Sequence, residues 1–157
     1  MPAATSCSVP VDLIPISPDN HKVVRALQVK PDQRHLVASV DASLADAYVW
    51  KDAQFRAVFE AGEPVGYVMV FPFNRDGTEI VNIVRLMIAA EHQGRGLGRA
   101  TVQKTMDWIS NFSPRPELLR ISTLPENEVA LGLYLSLGFE IQGHEEGEVA
   151  LYRRPPP

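Results

Sequence analysis

The sequence predicts an α+β protein in which helices cover both faces of one mixed, mostly antiparallel sheet, an αβα layered arrangement. In the first half of the chain, residues 74–77 end in an Asp-Gly pair, which is a strong signal for a hairpin between two strands. In the second half, a strand over 79–89, a glycine-rich turn and a helix over 100–112 lead to a strand over 118–123. This order is typical of a crossover, so the fourth and fifth predicted strands should run parallel.

Local patterns predict the elements of the N-terminal half. Ser17-Pro18-Asp19 is a helix-start pattern, and Ser43 is expected to cap a later helix. The predicted elements, in chain order, are a strand over 9–16, helices over 20–27, 31–38 and 44–50, and strands over 55–60 and 65–73.

Apolar spacing predicts the C-terminal half in the same way. Val102, Met106 and Ile109 fall on one face of the helix over 100–112, which is typical of a helix packed on a sheet. A last helix over 127–137 and two closing strands over 139–143 and 148–152 complete the prediction.

Length and composition bound the classes of protein that fit. A chain of 157 residues predicts a single domain over 1–157, with flexible ends at 1–8 and 154–157. No apolar run is long enough to span a membrane, and the N-terminus lacks the pattern of a signal peptide. A net charge of −4 argues against a nucleic-acid partner. The single cysteine, Cys7, cannot form an internal disulfide, which predicts a cytoplasmic location. The sequence is compatible with a homodimer and does not fix the oligomeric state.

The most informative segment is Gln93-Gly94-Arg95-Gly96-Leu97-Gly98-Arg99. It follows an apolar strand and precedes a helix, so free backbone N–H groups and the helix dipole would point at an anion there. Glycines allow close approach of the backbone, and successive amides can form an anion-binding nest. The segment lacks the Lys-Ser/Thr pair of a nucleoside-triphosphate loop, and Arg99 replaces the third glycine of the dinucleotide fingerprint.

The same segment matches the pattern Q/R-x-x-G-x-G/A, so the chain resembles the GNAT acyltransferase superfamily. A second stretch, from Asn127 through Ala130 and Tyr134 to Gly138-Phe139, is similar to the family signature N-x-x-A-x-x-x-Y-x-x-x-G-F. The resemblance implies acetyl-CoA as co-substrate, with its pyrophosphate on the glycine turn. It also implies that the fourth and fifth strands splay apart and hold the pantetheine arm between them.

A narrower likeness points to the acceptor. Several stretches are similar to bacterial spermine/spermidine (diamine) N-acetyltransferases: 33–48, 85–88, 125–130 and 146–148. This likeness implies direct acetyl transfer, in a ternary complex, to a small amine such as spermidine or spermine. The acceptor could also be another small amine, an amino acid or a protein N-terminus, because substrate choice changes readily on one fold. A further alternative is a catalytically silent protein that senses acyl-CoA.

The resemblance assigns the cofactor-binding residues one by one. They are Met87, Ile88, Gln93, Gly94, Arg95, Gly96, Leu97, Gly98, Arg99, Asn127 and Tyr134. Tyr134 is expected to be the catalytic acid that protonates the leaving thiolate. Asn127 suits either a contact to the cofactor arm or a helix N-cap.

The acceptor side is less sharply marked. The interior of the fourth strand carries Asn82 and Val84 where some family members carry a glutamate, so a dedicated base stays open. Arg85 suits either a structural ion pair or the acceptor site. Candidate acceptor residues are Tyr48, Asp46, Arg85 and Glu148, with further carboxylates at Asp41, Glu145 and Glu146 and a further aromatic wall at Trp50. The four histidines are scattered without ligand spacing, so no metal site is expected.

Overall fold

A computed structural model describes residues 9–157; Cys7 and the expected flexible end at 1–8 lie outside this range. The elements are β1 (Asp12–Ile14), α1 (His21–Arg25), α2 (Val40–Val49), β2 (Gln54–Glu60), β3 (Glu63–Arg75), β4 (Thr78–Ile88), α3 (Leu97–Ile109), β5 (Leu118–Thr123), α4 (Glu128–Ser136), β6 (Glu140–Glu145) and β7 (Glu148–Arg153). Short 3-10 turns occupy Pro31–Gln33 and Ala90–His92.

All strands form one sheet in the order β1-β2-β3-β4-β5-β7-β6. β4 and β5 are parallel, and the other neighbouring strands are antiparallel. The predicted α+β fold with parallel fourth and fifth strands is therefore confirmed. The Asp-Gly hairpin is also confirmed, because Asp76 and Gly77 both have positive φ, at 53° and 89°.

Helices cover the two faces of the sheet in pairs. On one face, Val24 of α1 and Val40 of α2 pack with Tyr67 and Met69 of β3. On the other face, Val102, Met106 and Ile109 of α3 pack with β4, β5 and residues of α4, as their spacing predicted. Alternating side chains of the strands thus enter two separate apolar layers.

Two local predictions in the N-terminal half were wrong. The Ser39 hydroxyl, not that of Ser43, caps α2 by accepting a hydrogen bond from the Ala42 amide at 3.1 Å. Ser43 lies inside the helix, fully buried, with its hydroxyl 2.8 Å from that of Tyr67. The predicted helix over 31–38 is only the 3-10 turn Pro31–Gln33. In both places a polar side chain accepts a hydrogen bond from a nearby backbone amide. Residues 34–38 are therefore not helical, and they line a groove described below.

β4 and β5 pair over only part of their length. The strands pair from Ile80–Leu118 to Ile83–Ile121, and past this point β4 keeps only β3 as its partner. A bulge follows at once, because Met69 pairs with Arg85 and Val70 with Ile83, which leaves Val84 unpaired. The bulge turns the far end of β4 away from β5 and opens the predicted gap between them.

Gly66 of β3 lets the splayed end of β4 approach closely. A Cβ atom at Gly66 would lie 2.0 Å from the Met87 carbonyl oxygen. An isolated glycine inside a strand is the sequence signal for such an approach.

None of the helices within residues 9–157 combines the length and apolar character needed to cross a membrane. The end of the chain, 154–157, forms no helix or strand, although the Pro156 carbonyl accepts a hydrogen bond from Arg115.

Candidate active site

A groove of about 1150 Å³ runs along the gap between β4 and β5. It is walled by the segment after α1, the splayed end of β4, the glycine turn, the end of β5 and the start of α4. Ten of the residues predicted to bind the cofactor line it together: Met87, Ile88, Gln93, Gly94, Gly96, Leu97, Gly98, Arg99, Asn127 and Tyr134.

The glycine turn places an open helix start in this groove. Gly94 and Gly96 have φ of +78° and +79°, in the left-handed region that glycine tolerates. α3 begins at Leu97, three residues before the predicted start, because Gly96 already serves as its N-cap. No side chain of the described residues caps this helix, and its first turn holds no acidic residue. Its first N–H groups are thus available to an anion.

The charges around the helix start strengthen this assignment. Arg99 lies in the first turn of α3, where a positive charge opposes the helix dipole. Its guanidinium is exposed and donates to the Ser136 hydroxyl at 2.8 Å on the neighbouring helix. An anion bound between Arg99 and the free amides would offset the repulsion between the Arg99 charge and the positive end of the helix dipole.

Arg95 differs from its neighbours in the motif. Its guanidinium donates to both carboxylate oxygens of Glu60, each at 2.7 Å, and does not line the groove. The side chain therefore ties the turn to the end of β2. Its charge is already paired, so the motif contributes one free arginine to the groove, Arg99.

Gln93 fixes the turn to the opposite wall. Its Nε2 donates to the Ile88 carbonyl at 2.9 Å and to Gln33 Oε1 at 2.8 Å, and Gln33 donates back to Gln93 Oε1 at 3.1 Å. The two amides thus join segments 60 residues apart. Sequence reasoning missed the role of Gln33, because nothing local marks a long-range amide pair.

Tyr134 lies on the α3–α4 side of the gap. The residue is 6% exposed, and burial raises the pKa of its hydroxyl to about 12. Its ring packs near Phe139, with centroids 6.2 Å apart, so the ring is also part of the apolar core. The hydroxyl stays protonated at neutral pH and the residue lines the groove, which suits a proton donor.

Asn127 occupies the N-cap of α4. Its Oδ1 accepts a hydrogen bond from the Ala130 amide at 3.3 Å. The residue also lines the groove, so its cap role is observed and its contact to a cofactor arm stays a prediction.

The predicted acceptor residues separate into two groups. Arg85 and Glu148 line the groove, whereas Asp46 and Tyr48 do not. Arg85 forms an ion pair with Asp46 at 2.7 Å and donates to Ser43 at 3.2 Å. Tyr48 is 92% exposed at the end of α2, so it cannot wall the groove in this structure. The position of Tyr48 depends on where α2 begins and ends, and the sequence predicted a helix over 44–50 where the structure has one over Val40–Val49.

Most other candidate carboxylates are already paired with arginines. Asp41 contacts Arg25 at 2.7 Å, and Glu145 contacts Arg120 at 2.7 Å. The hydrogen bond from Arg120 lowers the pKa of the Glu145 carboxyl. These pairs neutralise two of the acidic residues that the sequence offered as acceptor ligands.

Glu148 begins β7 and is half-buried in the groove. Its Oε2 accepts a hydrogen bond from the Ser122 hydroxyl at 2.6 Å. Ser122 ends up here because β5 and β7 pair, and sequence reasoning gave it no role. Within residues 9–157, no group of three or more His, Cys, Asp or Glu side chains is placed to hold a metal ion.

Comparison with known proteins agrees with this geometry. The sequence model of the acetyltransferase (GNAT) family matches residues 19–139. The chain therefore belongs to this family, and the resemblance drawn from the two motifs is confirmed.

Individual relatives are more distant. N-acetyltransferase 8F1 of Rattus norvegicus is 24% identical over 126 residues, which is 77% of this chain and 56% of that protein. The chain thus spans little more than half the length of this relative. A spermidine N-acetyltransferase from Vibrio cholerae, solved with CoA and spermine, has a TM-score of 0.71 at 19% identity, covering 92% of this chain and 95% of that one.

An aminoglycoside N(6')acetyltransferase from Legionella pneumophila has a TM-score of 0.73 at 16% identity, covering 92% of this chain and 91% of that one. Identities this low establish the shared fold, and the two neighbours differ in the acceptor that their names give.

Proposed function

We propose that this chain is an acetyl-CoA-dependent N-acetyltransferase that acts by direct transfer in a ternary complex on a small amine. Spermidine and spermine are the first candidate acceptors. The observation that carries the proposal is the uncapped start of α3 beside the gap between β4 and β5. One wall of the same groove carries a buried, protonated tyrosine.

The residues of the groove fit acetyl-CoA in two ways. The free amides at 97–99 and the Arg99 guanidinium suit a pyrophosphate, which is a large anion. The gap past Ile83 and Ile121 leaves one edge of β4 without a strand partner, and an extended arm with amide groups can pair with such an edge. When bound, acetyl-CoA supplies an activated thioester at the end of this arm.

Tyr134 is proposed to hold the proton that the departing sulfur requires. Because burial raises its pKa to about 12, the hydroxyl keeps this proton at neutral pH. The hydroxyl can release it only to a strongly basic group placed close by, such as a thiolate in a dry site. This requirement ties the release of the proton to breakage of the thioester.

The acceptor class rests on charge. A polyamine carries several ammonium groups, and a site for it should offer carboxylates along one side. Glu126, Glu128 and Glu148 line the groove and can serve in this role. The ion pairs of Asp41, Asp46 and Glu145 reduce the number of carboxylates available, so the polyamine proposal depends on these three.

A thiol-release assay tests the proposal directly. The protein is given acetyl-CoA with spermidine, spermine, a monoamine of similar length, an amino acid or a short peptide with a free N-terminus. We expect thiol release with the polyamines at the highest kcat/KM, and this advantage should shrink with added salt because the ammonium–carboxylate attraction is screened.

The outcomes separate the alternatives. If a monoamine, an amino acid or the peptide gives the highest kcat/KM at low salt, the polyamine proposal fails and the N-acetyltransferase proposal survives. If acetyl-CoA raises the thermal midpoint but no acceptor gives thiol release, the chain is an acyl-CoA-binding sensor.

A further inference from the structure

Tyr134 and Glu148 flank the gap between β4 and β5 from opposite sides of the sheet. Ile121 of β5 and Val149 of β7 pack in the same apolar layer as Tyr134. Because side chains alternate along a strand, Ser122 and Glu148 face the other side of the sheet. The gap therefore has Tyr134 on one side and the Ser122–Glu148 pair on the other.

The Glu148 carboxylate is held in place at one oxygen. Ser122 donates to Oε2 at 2.6 Å, while Oε1 has no hydrogen-bond partner among the described residues. A hydroxyl donor fixes the orientation of a carboxylate without neutralising its charge. The free oxygen is then available for a ligand in the groove.

The other charged groups of the groove do not occupy this position. Glu126 lies 3.9 Å from His35, and both side chains are largely exposed. Glu128 lies in the first turn of α4, where its negative charge interacts favourably with the helix dipole. Among the basic residues of the groove, Arg85 contacts Asp46 at 2.7 Å and Arg99 donates to the Ser136 hydroxyl at 2.8 Å. Basic side chains also line the groove at Lys30, Arg34 and His92, and none of the described residues forms an ion pair with Glu148.

We propose that Glu148, positioned by Ser122, is the proton acceptor for the incoming amine. This inference rests on the proposed acetyl transfer. Glu148 supplies the base that the sequence of β4 lacks, since the interior positions there hold Asn82 and Val84. The carboxylate also attracts the ammonium form, which is the form that dominates in solution at neutral pH.

The proton balance is complete with these two residues. The ammonium gives one proton to Glu148, and its lone pair forms the C–N bond while the C–S bond breaks. The nitrogen loses a second proton as the amide forms, and the sulfur takes a proton from the Tyr134 hydroxyl. Tyr134 recovers that proton from the nitrogen through solvent, and Glu148 releases its own, so each turnover releases one proton.

The test compares the pH dependence of Glu148→Gln with that of the wild type, using acetyl-CoA and the best amine of the panel. Near neutral pH we expect kcat/KM of the variant to be lower by about 10²–10⁴-fold. The deficit should shrink about tenfold for each pH unit, because the variant depends on the free amine that solvent provides. The wild type should show little change over the same range.

Glu140→Gln is the matched control. Glu140 is exposed at the start of β6, carries the same charge and does not line the groove. It should match the wild type in kcat/KM and pH profile. The thermal shift given by acetyl-CoA should be equal in all three proteins, which shows that the Glu148 variant is folded and loaded.

The results that overturn the inference are distinct from those that overturn the proposed function. If Glu148→Gln raises KM and keeps the wild-type pH profile, Glu148 of the wild type binds the ammonium and is not the base. Equal kcat/KM in both proteins would remove Glu148 from the site. A wild type without thiol release on any amine would instead refute the acetyl transfer on which the inference rests.

Discussion

The starts of α3 and α4 both border the groove, and they are built in opposite ways. α4 satisfies itself, because Asn127 caps its first turn and Glu128 supplies a negative charge there. α3 begins at a left-handed glycine, has no cap among the described side chains, and carries a basic residue in its first turn. The start of α4 is closed by its own side chains, and the start of α3 leaves its first amides without a cap.

The contrast indicates which of the two helix starts we expect to bind the ligand. A helix start without a cap costs stability, because free N–H groups lose a hydrogen bond that a side chain could provide. The chain tolerates that cost at α3, beside the gap, and removes it at α4, whose task is to hold Tyr134.

The largest effect should come from Tyr134, the proposed proton donor on α4. Tyr134→Phe removes the hydroxyl and keeps the ring, so kcat for thiol release should fall by about 10²–10⁴-fold. The thermal shift with acetyl-CoA should stay close to that of the wild type. Turnover close to the wild-type value would make Tyr134 a packing residue.

The start of α3 should control binding. Gly96→Asp adds a side chain at φ +79° and a negative charge where the phosphates are expected, so acetyl-CoA should bind about 100-fold more weakly. Isothermal titration measures this affinity. Gly77→Asp is the control, because it places the same side chain at φ +89° in the β3–β4 hairpin. If both variants bind acetyl-CoA equally well, the anion site does not lie at Gly96.

Burial of Tyr134 should appear in the stability of the fold at high pH. Its pKa rises from about 10 in the unfolded chain to about 12 in the fold. The contribution of this shift to the free energy of unfolding is complete below about pH 10 and is lost as the pH rises to 12, so the loss reaches about 2–3 kcal/mol. Urea unfolding across this range should show a steeper loss for the wild type than for Tyr134→Phe. Parallel curves would contradict the burial.

The smallest effect should come from the cap of α4. Asn127→Ala should lower the free energy of unfolding by about 1 kcal/mol, and Asn127→Ser, which can still cap, should restore most of it. Both variants should keep the thermal shift with acetyl-CoA if capping is the main role of Asn127. A reduced shift in both would mean that its amide contacts the cofactor.

Much of the fold was predictable because its signals are local. The strand over 118–123 has the predicted bounds, the Asp-Gly hairpin is present, and the apolar face of α3 packs as its spacing indicated. The glycine turn was recognisable because positive φ restricts the choice of residue. The predicted Ser43 cap was wrong, because Ser39 competes for the same role a few residues earlier and wins it.

The class of fold, the family and the glycine-rich turn were readable from the sequence, since their signals lie in short stretches of the chain. Which charged residues remain unpaired depends on the packing of the folded chain. That packing pairs Asp46 with Arg85, and it joins Ser122 to Glu148 across 26 residues. The physical reason is that a carboxylate acts through whatever lies within about 4 Å of it, and strand pairing sets those neighbours.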